Sequence, residues 1–483
     1  VGNETADDGR PNNACVCGQV VFDRRTLTME TPAVPPPLPE PKPAVTPRRF
    51  PRLGSLLAVI AITVCAVFVV WVQTVPKAGD KTEVRPNRIF ELMARYAVGV
   101  KNLLSQTGQW NEALNDQMTA EARTVARKEA DKLRLVILKS WMSGKPPAEE
   151  DLTRLAAKNE DLRADVETLR KLESGTAAPD EAGWKRFLKR HGWMARLAQA
   201  RTLEEKDPVR LQVQQQALGT ALTMMGAVSL GMLAAVAGVV LLVLAIVRWR
   251  KGQLRFTLAR PPRGQGGVLV EAFAIYLTLF LLLPRLLREL PVTFPPWIVY
   301  AVASLSLIIG VFWPRLRGMD RVTWRETLGL HRGEGVFREI GAGMLGWITA
   351  LPLLIVGIMA ASWIMKLTGD FPSHPIVEIF AGDAWAKFGA FMLAVVWAPV
   401  TEEITFRGLL FPGLSAWIRW FLGIVISAFV FAVIHPQGWA GVPAIMALAA
   451  AFSMLRLWRR SLIAPMTAHA LNNGIMCVMM LSL

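Results

Sequence analysis

Long uninterrupted apolar runs alternate with arginine-rich connections along most of this chain. The first run, Gly54 to Val75, is about twenty residues long and uncharged, enough to cross a bilayer as one helix. From Ala217 the pattern predicts further spans at about 217–247, 268–284, 296–313, 341–365, 385–411, 420–436, 440–456 and 461–482. Between the first and second spans the pattern changes. There the chain is rich in Ala, Glu, Leu, Lys and Arg, with apolar residues at helical spacing and opposite charges three or four positions apart. This stretch predicts several soluble helices, broken at Gly144-Lys-Pro-Pro and Gly175-Thr-Ala-Ala-Pro. Leu152, Leu155, Leu162 and Leu169 are spaced for a short coiled-coil seam, with a plain helical bundle or stalk as the alternative. His191, flanked by Lys185, Arg186, Lys189 and Arg190, reads as a solvated surface residue. No chemistry is legible in this region.

The fold class that follows is all-α: a polytopic transmembrane helical bundle of about nine spans with an inserted soluble helical segment. The expected organisation begins with a disordered, Pro-rich cytoplasmic N-terminus (1–53) and a transmembrane anchor (54–75). An extracytoplasmic helical or coiled-coil domain (76–215), transmembrane helices with cytoplasmic loops (216–324) and a C-terminal membrane core (325–483) complete it. The tract beginning Pro32-Ala-Val-Pro-Pro-Pro is too proline-rich for a helix and favours polyproline II. Val1 opens the chain and Met29 stands just before that tract, so initiation at Met29 and initiation at a non-Met codon both fit.

Composition supports the membrane class. Hydrophobic residues make up 52% of the 483 positions, charged residues only 19%, and the mean hydropathy is +0.34. The net charge of +16 would suggest nucleic acid in a soluble protein. Here the arginines cluster beside apolar runs, so a nucleic-acid partner is not expected and the lipid bilayer is. Arg48, Arg49 and Arg52 precede the first span, and Arg248, Arg250, Lys251, Arg255, Arg260 and Arg263 follow the second. Arg315, Arg317, Arg321, Arg325, Arg332 and Arg338 lie between the fourth and fifth, and Arg456, Arg459 and Arg460 precede the last. With residue 1 in the cytoplasm all these clusters fall inside, while 76–215 and the acidic loop with Asp370, Glu378 and Asp383 fall outside. Arg285 and Arg288 in a short outer loop are the one mild violation. The expected location is the cytoplasmic membrane of a bacterium, with the first run as a signal anchor and a cleaved signal peptide as the alternative. Cys65 and Cys477 read as small buried hydrophobes, and Cys15 and Cys17 lack a second pair to complete a zinc site.

Ionisable residues within apolar spans require a partner or a function. The sixth span contains Glu402-Glu403-Ile-Thr-Phe-Arg407. Glu403 and Arg407 are four apart in the favourable order for a helical ion pair. Glu402 points about 100° away and lacks a local partner. A carboxylate so placed can act as a general base, and a structural charge knot is the alternative. Pro399 should loosen the helix just before the pair. The seventh span ends Phe431-Ala-Val-Ile-His435, and a lone histidine there can equally be a hydrogen-bonded surface group. The ninth contains His469-Ala-Leu-Asn-Asn473, whose polar residues share one face and can form a site or bond a neighbouring backbone. One carboxylate, two imidazoles and one amide are the parts needed to activate a water and stabilise an oxyanion. On straight helices His435 is deep and His469 shallow, so a bend or a re-entrant 408–419 segment is expected.

The series E-E-x-x-x-R, F-x-x-x-H and H-x-x-x-N, each on its own membrane helix, resembles the CPBP family of type II CAAX prenyl endopeptidases and bacteriocin self-immunity proteins. The resemblance covers about residues 325–483, including the entry segment Leu328-Gly-Leu-His-Arg-Gly. It implies an intramembrane endopeptidase acting on a membrane-associated protein or peptide. Glu402 would be the base and His435 would help hold the water. His469 and Asn473 would polarise the scissile carbonyl, Glu403 and Arg407 would shape the site, and Phe431 would pack beneath His435. It favours a mechanism with no cofactor, although Glu402, His435 and His469 formally make a two-histidine, one-carboxylate zinc set. A non-catalytic scaffold or immunity protein and a proton-coupled transporter are the alternatives.

Overall fold

The structure, a computed structural model, describes residues 52–74, 88–126, 128–175, 180–262, 264–292, 294–368 and 384–481. Among these every regular element is helical. The Pro-rich tract, Cys15, Cys17 and the acidic loop at 370–383 lie outside the described residues.

Helix α1 (Arg52–Thr74) is apolar around most of its surface and packs along α10 (Gly266–Arg288). The soluble helices follow: α2 (Arg88–Gln106), α3 (Glu112–Val125), α4 (Glu129–Ser143), α5 (Glu149–Ala156), α6 (Glu160–Ser174), α7 (Glu181–His191) and α8 (Trp193–Thr202). Asn111, Asn159 and Asp180 cap α3, α6 and α7 by accepting backbone N–H groups of the first turn. The Asn159 cap explains why Leu152, Leu155, Leu162 and Leu169 form no continuous seam. The chain breaks between α5 and α6, and all four leucines enter one core with Phe90, Leu133, Leu138, Val166 and Phe187.

His191 departs from the expectation of a solvated residue. Its side chain is fully buried, with Nε2 3.0 Å from Asp165 Oδ2 and its ring against Phe187. Lys185, Arg186 and Lys189 lie on the exposed side of α7, and His191 lies on the inner one. Arg190 joins the same carboxylate at 3.3 Å and Arg186 reaches it at 4.0 Å, so the buried Asp165 has three basic side chains within reach.

Helix α9 (Pro208–Arg250) has 43 residues and is roughly 65 Å long at 1.5 Å per residue. Its first turns pack on α2 so closely that a Cβ on Gly99 would lie 2.2 Å from the Ala217 carbonyl oxygen. Further along it packs against α14 (Val336–Thr368). One rigid element thus belongs to the soluble core at one end and to the membrane bundle at the other. Leu230, Met232, Leu233 and Val236 remain exposed in between, as expected of a lipid-facing stretch.

Beyond α10 come α11 (Pro296–Ser304), α12 (Ser306–Leu316), α13 (Arg321–Leu328) and α14, then α15 (Ala384–Ser415), α16 (Trp420–Val433), α17 (Gly438–Arg459) and α18 (Ile463–Leu481). Among the described residues seven helical segments are long and apolar enough to cross a membrane, against the nine expected. The seventh expected span is α16, whose 14 residues reach only about 21 Å. The ninth is α18, whose polar stripe of His469, Asn472 and Asn473 lowers its hydropathy. These properties make the chain an integral membrane protein built as an all-α polytopic bundle.

The entry segment is fixed by a cation. Helix α13 ends at Gly329 in the left-handed conformation (φ 77°), and a Cβ there would lie 2.7 Å from the Arg456 guanidinium. The fully buried Arg456 donates to the carbonyls of Thr327 and Arg460, so it satisfies helix-end oxygens that have no helical donor.

Candidate active site

Helix α15 carries the acidic pair, and it is not uniformly α-helical. Leu393–Trp397 and Ile404–Leu410 are π-helical, flanking a short α segment from Ala398 to Glu403. Such bulges mark places where a helix stores an extra residue to redirect side chains, often at functional sites. Pro399, which cannot donate a backbone hydrogen bond, lies between them. The expected loosening near Pro399 therefore takes the form of two π segments.

Glu403 and Arg407 face into the bundle, fully buried. Arg407 Nη1 donates to Glu403 Oε1 at 2.9 Å and its Nη2 donates to the Ala449 carbonyl of α17 at 2.9 Å. The guanidinium also lies over the rings of Phe431 and Phe452, at 4.8 and 5.4 Å. A buried cation is tolerable only with this degree of pairing. Glu403 Oε1 has a second partner, His469 Nδ1 of α18, at 2.8 Å. Phe452 stacks on the His469 ring at 5.1 Å and 22°.

Glu402 projects to the other side. Its Oε2 lies 3.8 Å from His435 Nε2 and 3.8 Å from His469 Nε2. That oxygen is shut off from solvent and has no hydrogen-bond partner among the described residues. His435 stands just past the end of α16, its ring 4.3 Å from that of Phe431 and its Nδ1 on the Phe431 carbonyl. A carbonyl only accepts, so His435 carries a proton on Nδ1. An ionised Glu403 likewise assigns the Nδ1 proton of His469. Both rings therefore turn Nε2 toward one carboxylate. A neutral ring accepts at that nitrogen, and a doubly protonated ring donates from it.

The structure thus brings Glu402, His435 and His469 together, with Glu403, Arg407 and Phe431 directly behind them. The short α16 puts His435 at the level of His469 despite their different positions along the sequence. Asn473 is held differently. Its Nδ2 donates to the Ala394 carbonyl of the first π segment at 2.9 Å, and its Oδ1 faces Asn472 Nδ2 at 3.4 Å. Phe452 and the Glu403–His469 bond escaped sequence reasoning, because a phenylalanine in an apolar helix carries no distinguishing signal.

For a zinc ion Glu402 is set wide of both histidines. Bonds of about 2.0–2.1 Å in a tetrahedron place ligand atoms about 3.3 Å apart, short of the 3.8 Å separations here. Among the described residues no group of three or more His, Cys, Asp or Glu is disposed to hold a metal. The residues as arranged do not fit zinc, and no step below passes through a metal.

Residues 384–475 match the family model of Rce1-like proteins, described as type II CAAX prenyl endopeptidase Rce1-like. No curated protein and no solved structure matches the chain. The matched segment contains α15 from its start, all of α16 and α17, and α18 through Ile475, and so Glu402, Glu403, Arg407, Phe431, His435, Phe452, His469 and Asn473. Over this segment, and in the residues that form the site, the chain is similar to Rce1-like type II CAAX prenyl endopeptidases.

Proposed function

We propose that this protein is an intramembrane endopeptidase that hydrolyses a peptide bond of a membrane-associated protein or peptide with a water activated by Glu402. The observation that carries the reading is the convergence of His435 Nε2 and His469 Nε2 on the unpartnered Oε2 of Glu402. Each 3.8 Å gap is too long for a hydrogen bond, yet one water about 2.8 Å from both ends spans it.

In this mechanism the water donates to Glu402 and to the Nε2 of His435, which orients an oxygen lone pair outward. Glu402 takes the proton as the oxygen attacks the scissile carbonyl. The tetrahedral oxyanion is met by His469, in its doubly protonated form, and by an amide N–H of Asn473. The proton on Glu402 then passes to the leaving amine. Glu403 supports this through its hydrogen bond to His469 Nδ1, and Arg407 holds the Glu403 carboxylate in place. The phenylalanine rings on both sides of Arg407 exclude water from the supporting layer.

We further propose that residues 76–215 lie outside the cytoplasm, as the arginine distribution suggests. The test of activity is cleavage of a peptide library by the purified full chain beside Glu402→Gln. Cleavage by the first alone supports the reading, and cleavage by neither or by both removes it.

A further inference from the structure

The first π segment of helix α15 contains a buried carbonyl that the helix's own backbone cannot satisfy. The N–H of Ala398 reaches back five residues to the Leu393 carbonyl. The next carbonyl, on the buried Ala394, could take Ala398 N–H in α register, but that donor is already used. In π register it would take the N–H of residue 399, which is proline. The missing donor comes from Asn473 Nδ2, at 2.9 Å, on a different helix. A buried carbonyl strongly favours finding such a partner.

We infer that Pro399 is a positioning residue for Asn473: by leaving the Ala394 carbonyl without a helical donor, it anchors one Nδ2 hydrogen and sets the direction of the other. The inference rests on the proteolytic reading above. With one N–H on Ala394 and Oδ1 facing Asn472, the plane of the Asn473 amide is fixed. Its remaining N–H lies one helical turn beyond His469 on the same face of α18. Pro399 itself touches no reacting atom in this scheme.

The test is a double-mutant cycle of Pro399→Ala and Asn473→Ala on the purified full chain, with kcat and KM measured on a peptide that the wild type cleaves. Pro399→Ala returns an N–H that competes for the Ala394 carbonyl. It should lower kcat roughly ten- to hundredfold with KM little changed. In the Asn473→Ala background it should have no further effect on kcat, because the residue through which it acts is gone. Selective ¹⁵N labelling of asparagine gives a readout independent of activity. The Asn473 side-chain amide should exchange slowly in the wild type and fast in Pro399→Ala. A wild-type kcat in Pro399→Ala, multiplicative losses in the double variant, or unchanged exchange would overturn the inference. Pro399→Gly restores the same donor and should reproduce the effect. Loss of fold in both variants would also contradict it, since Pro399 would then act through the helix and not through Asn473. If the wild type cleaves no peptide, the proteolytic reading fails while the exchange measurement still tests the hydrogen bond.

Discussion

His469 and Glu403 share a 2.8 Å hydrogen bond although 66 residues separate them in the chain. Glu403 spends the same oxygen on Arg407, so one buried carboxylate serves a helical neighbour and an imidazole of another helix at once.

This double duty separates the two adjacent glutamates. Glu403→Gln should leave the buried Arg407 without a counter-charge, which costs about 3–5 kcal/mol when one partner of a buried pair is removed. It should also release His469 Nδ1. Thermal unfolding of the detergent-solubilised protein should show a clearly lowered midpoint together with lost cleavage. A Glu403→Gln variant of wild-type stability would refute this role for the pair.

The soluble helices make an independent prediction about pH. Burial is the main cause that lowers the pKa of His191 from its ordinary value of 6.5, against the opposing pull of Asp165. The native state therefore keeps His191 neutral where the unfolded chain begins to protonate it. Stability from this group is complete above about pH 6.5 and falls as pH drops below it, by at most about 1.4 kcal/mol per pH unit. Denaturant unfolding followed from pH 7.5 to 5 should show the loss. His191→Gln should flatten that dependence, and an equally steep slope in the variant would assign it elsewhere.

Topology has its own measurement. Glu150 on α5 is exposed, so cysteine introduced there, with the native cysteines replaced, should react with a membrane-impermeant maleimide in intact cells. Reaction only after permeabilisation would reverse the orientation.

The spacing of Glu402, His435 and His469 predicts that chelators will leave cleavage unchanged. Inhibition by chelator that zinc alone reverses would mean that the three side chains close on a metal.

The legibility of this molecule in its sequence followed the range of the interactions. Apolar run length reports on crossing a bilayer, so most membrane helices were visible, but it did not foresee that α16 would stop after 14 residues. The Glu403–Arg407 pair was readable because i,i+4 geometry is local. The bond from Glu403 to His469, the stacking of Phe452 and the grip of Asn473 on Ala394 depend on how helices pack, which no local period encodes. The burial of His191 is hidden from the sequence for the same reason. Its charged neighbours describe the faces of α7 on either side of it, while burial is decided by the partner that α6 presents.

The central claim is that Glu402 is the base that activates the hydrolytic water. Glu402→Gln preserves the size and planarity of the side chain and lies outside the Glu403–Arg407 pair. The most direct measurement is the cleavage rate of Glu402→Gln and wild type on the same peptide, with unfolding midpoints taken from the same preparations. The account predicts an unchanged midpoint and a rate lowered roughly 10²–10⁴-fold, the usual contribution of a general base. Near-normal cleavage by a folded Glu402→Gln would contradict it.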